Sequence, residues 1–83
     1  MQVIKLGANM KEIVTHDWRI LVSYQTPVAA LNVLGARKTS RKWSVTTSKH
    51  ITTWFMSHGI NGNEALQLPQ DWFDGLLEHS KYL

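Results

Sequence analysis

The first half of the chain alternates apolar and polar residues over short stretches. The second half spaces its apolar residues at helical intervals. Residues 2–6 alternate and predict a short strand closed by the turn residues Gly7, Ala8 and Asn9. Residues 11–15, carrying Ile13 and Val14, predict a second strand, and His16-Asp17 a turn. Residues 19–24 (RILVSY) are rich in β-branched and aromatic side chains and predict a third. Pro27 donates no ladder hydrogen bond, so it marks a strand start, an edge or a break. Residues 28–34 resume as a strand, and Leu34-Gly35 predicts a turn into Arg37, Lys38 and Thr39. These connections are too short for parallel crossovers, so they imply an antiparallel meander.

Ile51, Trp54, Phe55 and His58 then fall at i, i+3, i+4 and i+7, one face of a helix. Thr46, Thr47 and Ser48 are its candidate caps, and Gly59 follows its end. A second helix is expected from about Pro69 or Asp71, with Trp72, Phe73, Leu76 and Leu77 as its apolar stripe. Asp71 and Asp74 suit the positive end of its dipole, and His79 and Lys81 the negative end. The expected fold is α+β: a single domain over residues 1–83, with a small antiparallel sheet of three or four strands and one or two helices packed on one face. The expected core is Ile4, Ile13, Ile20, Val22, Tyr24, Val28, Ala30, Trp43, Val45, Ile51, Trp54, Phe55, Trp72, Phe73, Leu76 and Leu77.

With 83 residues and no cysteine, this core has to form from ordinary packing, without disulfides or thiolate-bound metal. No apolar run approaches the roughly 18 residues of a membrane span, and no export signal is evident at the start. The expected setting is therefore the cytoplasm, away from membranes. The net charge is +3 and is unevenly spread. Residues 37–49 carry five bases (Arg37, Lys38, Arg41, Lys42 and Lys49) and no acid, whereas residues 60–83 carry four acids and one base. The split implies a positive and a negative patch. Such a surface is complementary to itself, so a weak, salt-sensitive homodimer is expected, with Tyr82 and Leu83 as an apolar supplement.

Residues 39–53 hold eight serines and threonines interleaved with Arg41, Lys42, Trp43 and Lys49. Hydroxyls and cationic heads contact phosphate oxygens, and an aromatic among them can stack on an unpaired base. The candidate binding residues are accordingly Arg37, Lys38, Arg41, Lys42, Trp43 and Lys49. A purely structural reading competes: the hydroxyls cap a helix, Trp43 and Val45 anchor the loop, and the bases are solvated.

The run Ser23-Tyr24-Gln25-Thr26-Pro27-Val28-Ala29, followed by Lys38-Thr39-Ser40-Arg41-Lys42-Trp43-Ser44 and Thr46-Thr47-Ser48-Lys49-His50-Ile51 with Trp54, resembles a group of small uncharacterised bacteriophage proteins. The resemblance spans about residues 20–55. It implies a viral origin and an accessory role in an infected cell, and it transfers no functional residue.

His50 and His58 are eight residues apart, too far for an i,i+4 metal pair, and no HExxH, phosphate-binding glycine loop or GxSxG elbow occurs. No enzymatic activity, cofactor or metal is expected. A helix-turn-helix fails because residues 64–68 are too short for a recognition helix and carry no base. Two functions remain. One is an inhibitor or modulator of a host enzyme or defence complex, acting as anti-CRISPR proteins do through contact with a host protein or nucleoprotein complex. The other is a nucleic-acid-binding module built on residues 37–49.

Overall fold

In the computed structural model, which describes residues 2–80, five strands run as an antiparallel meander: β1 (Gln2–Gly7), β2 (Met10–Val14), β3 (Arg19–Ser23), β4 (Thr26–Asn32) and β5 (Gly35–Thr39). Helix α1 (Val45–Ser57) and a 3₁₀ turn (Gly62–Glu64) lead to a short strand β6 (Leu66–Leu68), which pairs parallel to β5. Helix α2 (Gln70–Ser80) closes the fold. The fold is α+β as expected, but the sheet has six strands in the order β1-β2-β3-β4-β5-β6 and is mixed. The added strands are β5 and β6. A parallel partner for β5 requires a long crossover, and α1 supplies it. Lys81, Tyr82 and Leu83 lie outside the described residues.

The helices pack on opposite faces of the sheet, which corrects the expectation of one covered face. In β3 the consecutive residues Ile20, Leu21, Val22 and Ser23 are all buried. Leu21 joins Val28, Ala29, Trp54, Phe55 and Ala65 beneath α1, whereas Ile20 and Val22 join Ile13, with Leu76 and Leu77 of α2 packed on them. Successive strand residues point to opposite sides, so a strand sandwiched between two helices buries both sets. A one-faced sheet would need only Ile20, Val22 and Tyr24 inside. The structure instead exposes Tyr24, Trp43 and Val45 and leaves Ile4 half-buried.

Local chemistry explains the element ends. Ser44, one residue before α1, accepts a hydrogen bond from the Thr47 amide at 3.1 Å and is the cap, in place of Thr46, Thr47 or Ser48 expected there. Gly59 takes φ +73° just past His58, as a helix stop requires. Pro27 lies near the start of β4, and a register shift between Leu21 and Val22 accommodates it.

The buried acid Glu12 ties α1 to the sheet. Its Oε1 accepts from the Trp54 indole at 2.6 Å and from His58 Nε2 at 2.9 Å, and its Oε2 from Arg19 at 2.7 Å. Burial alone would raise the Glu12 carboxyl, but the hydrogen bonds from Trp54, His58 and Arg19, with the His58 charge, outweigh it and hold the group below its usual range. A second polar tie joins Ser23 Oγ to His50 Nδ1 at 2.7 Å and to Thr47 Oγ1 at 3.1 Å.

Candidate functional site

The β3–β4 hairpin turns through only two residues, Tyr24 and Gln25, because Ser23 pairs with Thr26. A turn this tight calls for positive φ at its first central position, where glycine is favoured. Here Tyr24 takes φ +57°, and it is the one described residue other than glycine that does so. The residue is 49% exposed, so deep burial does not repay the backbone conformation. A tilted contact with the His50 ring, 6.1 Å between centroids, sets its position against α1.

Tyr24 and Trp43 both line a cavity of about 260 Å³, with Ser23, Thr26, Val28, Ser44 and Thr47 completing the lining. Trp43 is 38% exposed. Its indole N–H donates to Gln70 Oε1 at 3.1 Å, and Gln70 is itself fixed on every side. The Gln70 oxygen also accepts from Thr39 at 2.8 Å, while its amide nitrogen donates to the Pro27 carbonyl at 2.7 Å and to Asp74 at 3.0 Å. Trp43 is therefore held by its polar edge with part of its surface open. The Arg41 guanidinium lies over that ring at 4.6 Å from its centroid, a cation–π arrangement.

The six residues expected to form one basic surface are separated by the fold. Arg41 lies over Trp43, and Trp43 lines one cavity with Tyr24. Arg37 and Lys38 are neighbours on β5 and so project to opposite faces. Arg37 sits 5.0 Å from the centroid of Trp18, which meets Trp72 of α2 edge-on, so it belongs to the α2 side. Lys42 is exposed in the β5–α1 loop. Lys49 lies on α1 in a separate shallow depression with Val45, Ser48, Thr52 and Thr53.

Tyr24 and His50 were outside the expected set. Alternation along β3 predicts Tyr24 in the core, but the strand ends at Ser23 and Tyr24 lies in the exposed turn. A turn lacking Gly, Asn or Asp leaves little in the sequence to reveal it.

The Ser23–His50 pair has the spacing of a nucleophile and its base. Ser23 is only 2% exposed, however, and is also bound to Thr47. The contacts of the described residues include no acid orienting His50, the third element of such a triad. The pair docks α1 onto β3. Among the described residues no cluster of His, Asp and Glu is arranged to hold a metal ion, and no helix is long and apolar enough to cross a membrane.

Residues 1–75 match the model of a family of unknown function, DUF8033, and the chain belongs to that family. No curated protein and no solved structure gives a match.

Proposed function

We propose that this DUF8033 protein is a nucleic-acid-binding module that holds an unpaired segment against Tyr24, Trp43 and Arg41. The observation behind this reading is the placement of Tyr24: an exposed aromatic at a positive-φ position, lining one cavity with a second exposed aromatic that carries an arginine. Exposed aromatics accept bases by stacking, a guanidinium stacks on bases or pairs with phosphate, and hydroxyls such as Ser44 contact phosphate oxygens. No acid lines the cavity. Binding that rests on stacking favours single strands, whose bases are free. The resemblance to small bacteriophage proteins would make the module an accessory protein of an infected cell.

The test is fluorescence anisotropy with labelled single-stranded and duplex oligonucleotides. The single strand should bind more tightly, and its affinity should fall as salt rises. The double variant Arg41→Glu/Lys42→Glu should lose binding while keeping its circular dichroism spectrum. Absence of binding even at about 20 mM salt, where phosphate contacts are strongest, would remove the reading.

A second reading, modulation of a host enzyme or defence complex by protein contact, draws on another surface. Strand β1 is an open edge of six residues with Val3 and Leu6 exposed, and such edges accept an added strand. Capture from a bacterial lysate with and without nuclease separates the two. A protein partner retained after nuclease supports this second reading, and loss of all partners supports the first.

A further inference from the structure

On the other side of Tyr24 lies a groove of about 730 Å³ that contains an arrangement the fold does not require. Lys5 of β1 and Lys11 of β2 are direct partners in the antiparallel register, and both are exposed. Like charges set opposite each other on neighbouring strands repel. The ion pairs among the described residues join Glu12 to Arg19 and His58, so neither lysine is neutralised by an acid there. Protection of an open sheet edge accounts for a lysine on β1, since edge lysines discourage unwanted pairing. It does not account for Lys11, because β2 is an inner strand already paired on both sides.

The groove contains Val3, Lys5, Lys11, Tyr24, Gln25 and Thr26 in its lining, with no acid. Tyr24 and Thr26 line both this groove and the Trp43 cavity, so the two depressions flank the β3–β4 turn. We infer that Lys5 and Lys11 are the second half of the binding site, contacting phosphates of the same single strand whose bases stack on Tyr24 and Trp43. The inference rests on the nucleic-acid reading above and adds the direction in which the strand runs. Lys11 shares its face of the sheet with Ile13 and Val22, the α2 side, whereas Ser23 and Thr47 place the Trp43 cavity on the α1 side. An anionic backbone that relieves the repulsion between the ammonium groups therefore continues to Trp43 and Arg41 by crossing the end of the sheet over the Tyr24 turn. The longest dimension of the molecule is 31 Å, so the track fits the short end of the roughly 4–16 nucleotides covered by small single-strand-binding domains.

The test compares wild type with Lys5→Gln/Lys11→Gln, using labelled oligothymidylates of increasing length in anisotropy titrations across salt. Both side chains are exposed and mutually repulsive, so the variant should melt no lower than wild type. Its plot of log affinity against log salt should be shallower by about 1.4, two contacts at about 0.7 each for single strands. Wild type should also gain affinity as the oligonucleotide lengthens beyond the reach of Trp43 and Tyr24, a gain the variant should lack. If wild type binds and the variant shows the same slope and length dependence, the lysines are not part of the site, and the proposed function survives without them. If wild type binds no oligonucleotide, both proposals fall. If the variant keeps oligonucleotide binding but loses binding to polyglutamate, the pair receives an acidic protein segment and the inference is overturned.

Discussion

Replacing Tyr24 by glycine separates the structural and functional roles of the β3–β4 turn. The left-handed backbone region costs an L-residue roughly 1–2 kcal/mol, and glycine removes that cost. Glycine also makes the unfolded chain freer, which returns roughly 0.5–1 kcal/mol. The amide of residue 24 still donates to the Asn9 carbonyl at 2.7 Å, so the turn keeps its backbone tie. The tilted His50 contact is lost, but the residue is half exposed and its burial contributes little. The balance is a change between zero and about 1 kcal/mol in favour of the variant. For a domain of this size that is a Tm unchanged or raised by up to about 4–8 °C. Binding should move the other way. Loss of one base–aromatic stack costs about 1–3 kcal/mol, a weakening of about 5- to 150-fold. Thermal melts followed by circular dichroism, paired with anisotropy titrations, measure both, and Tyr24→Asn offers a companion variant that also tolerates positive φ. A Tm lowered by more than about 5 °C would show that Tyr24 supports the fold, against the roughly 4–8 °C rise the strain argument allows. Unchanged affinity would show that it holds no base.

Three other outcomes follow from the same structure. Trp54→Ala removes a buried indole and one of the three donors to Glu12, so it should cost about 3–5 kcal/mol and unfold much of the population; a Tm within a few degrees of wild type would contradict the core assignment. The folded Glu12 carboxyl lies below its usual range, so its contribution is complete above the unfolded value near 4.5 and is lost as pH falls through the folded value; Glu12→Gln should be less stable at pH 7, by about 2 kcal/mol for the lost charged hydrogen bonds, with a flatter stability profile below about pH 4.5. Self-association driven by the charge split should give light-scattering masses that rise with protein concentration at low salt and return to one chain at high salt; a constant single-chain mass removes it.

The sequence revealed its elements better than their arrangement. The strands up to β4 and both helices announce themselves by period, and the stop at Gly59 by residue type. Alternation along β3 suggested one buried face, yet Leu21 is as buried as Ile20 because the crossover through α1 covers the side that pattern assigns to solvent. Strand β6 has three residues and depends on β5 for its existence, so no local signal marks it. The site follows the same division. Arg41 and Trp43 are legible as a basic and an aromatic residue close in sequence. Their link to Tyr24 depends on a hairpin turn without turn residues, and that to Lys5 and Lys11 on strand register, both properties of the folded chain. Arg37 and Lys38 show the converse: adjacent in sequence, they are parted by the pleat of β5.

The four indole N–H groups provide the most direct test of where ligand binds. In a ¹⁵N-labelled sample titrated with a short oligothymidylate at low salt, the Trp43 indole resonance should shift, together with the backbone amides of Tyr24, Arg41, Lys5 and Lys11. The Trp54 indole, buried against Glu12, should stay in place. Shifts confined to surfaces away from Tyr24 and Trp43, or no shifts at saturating oligonucleotide, would contradict the account.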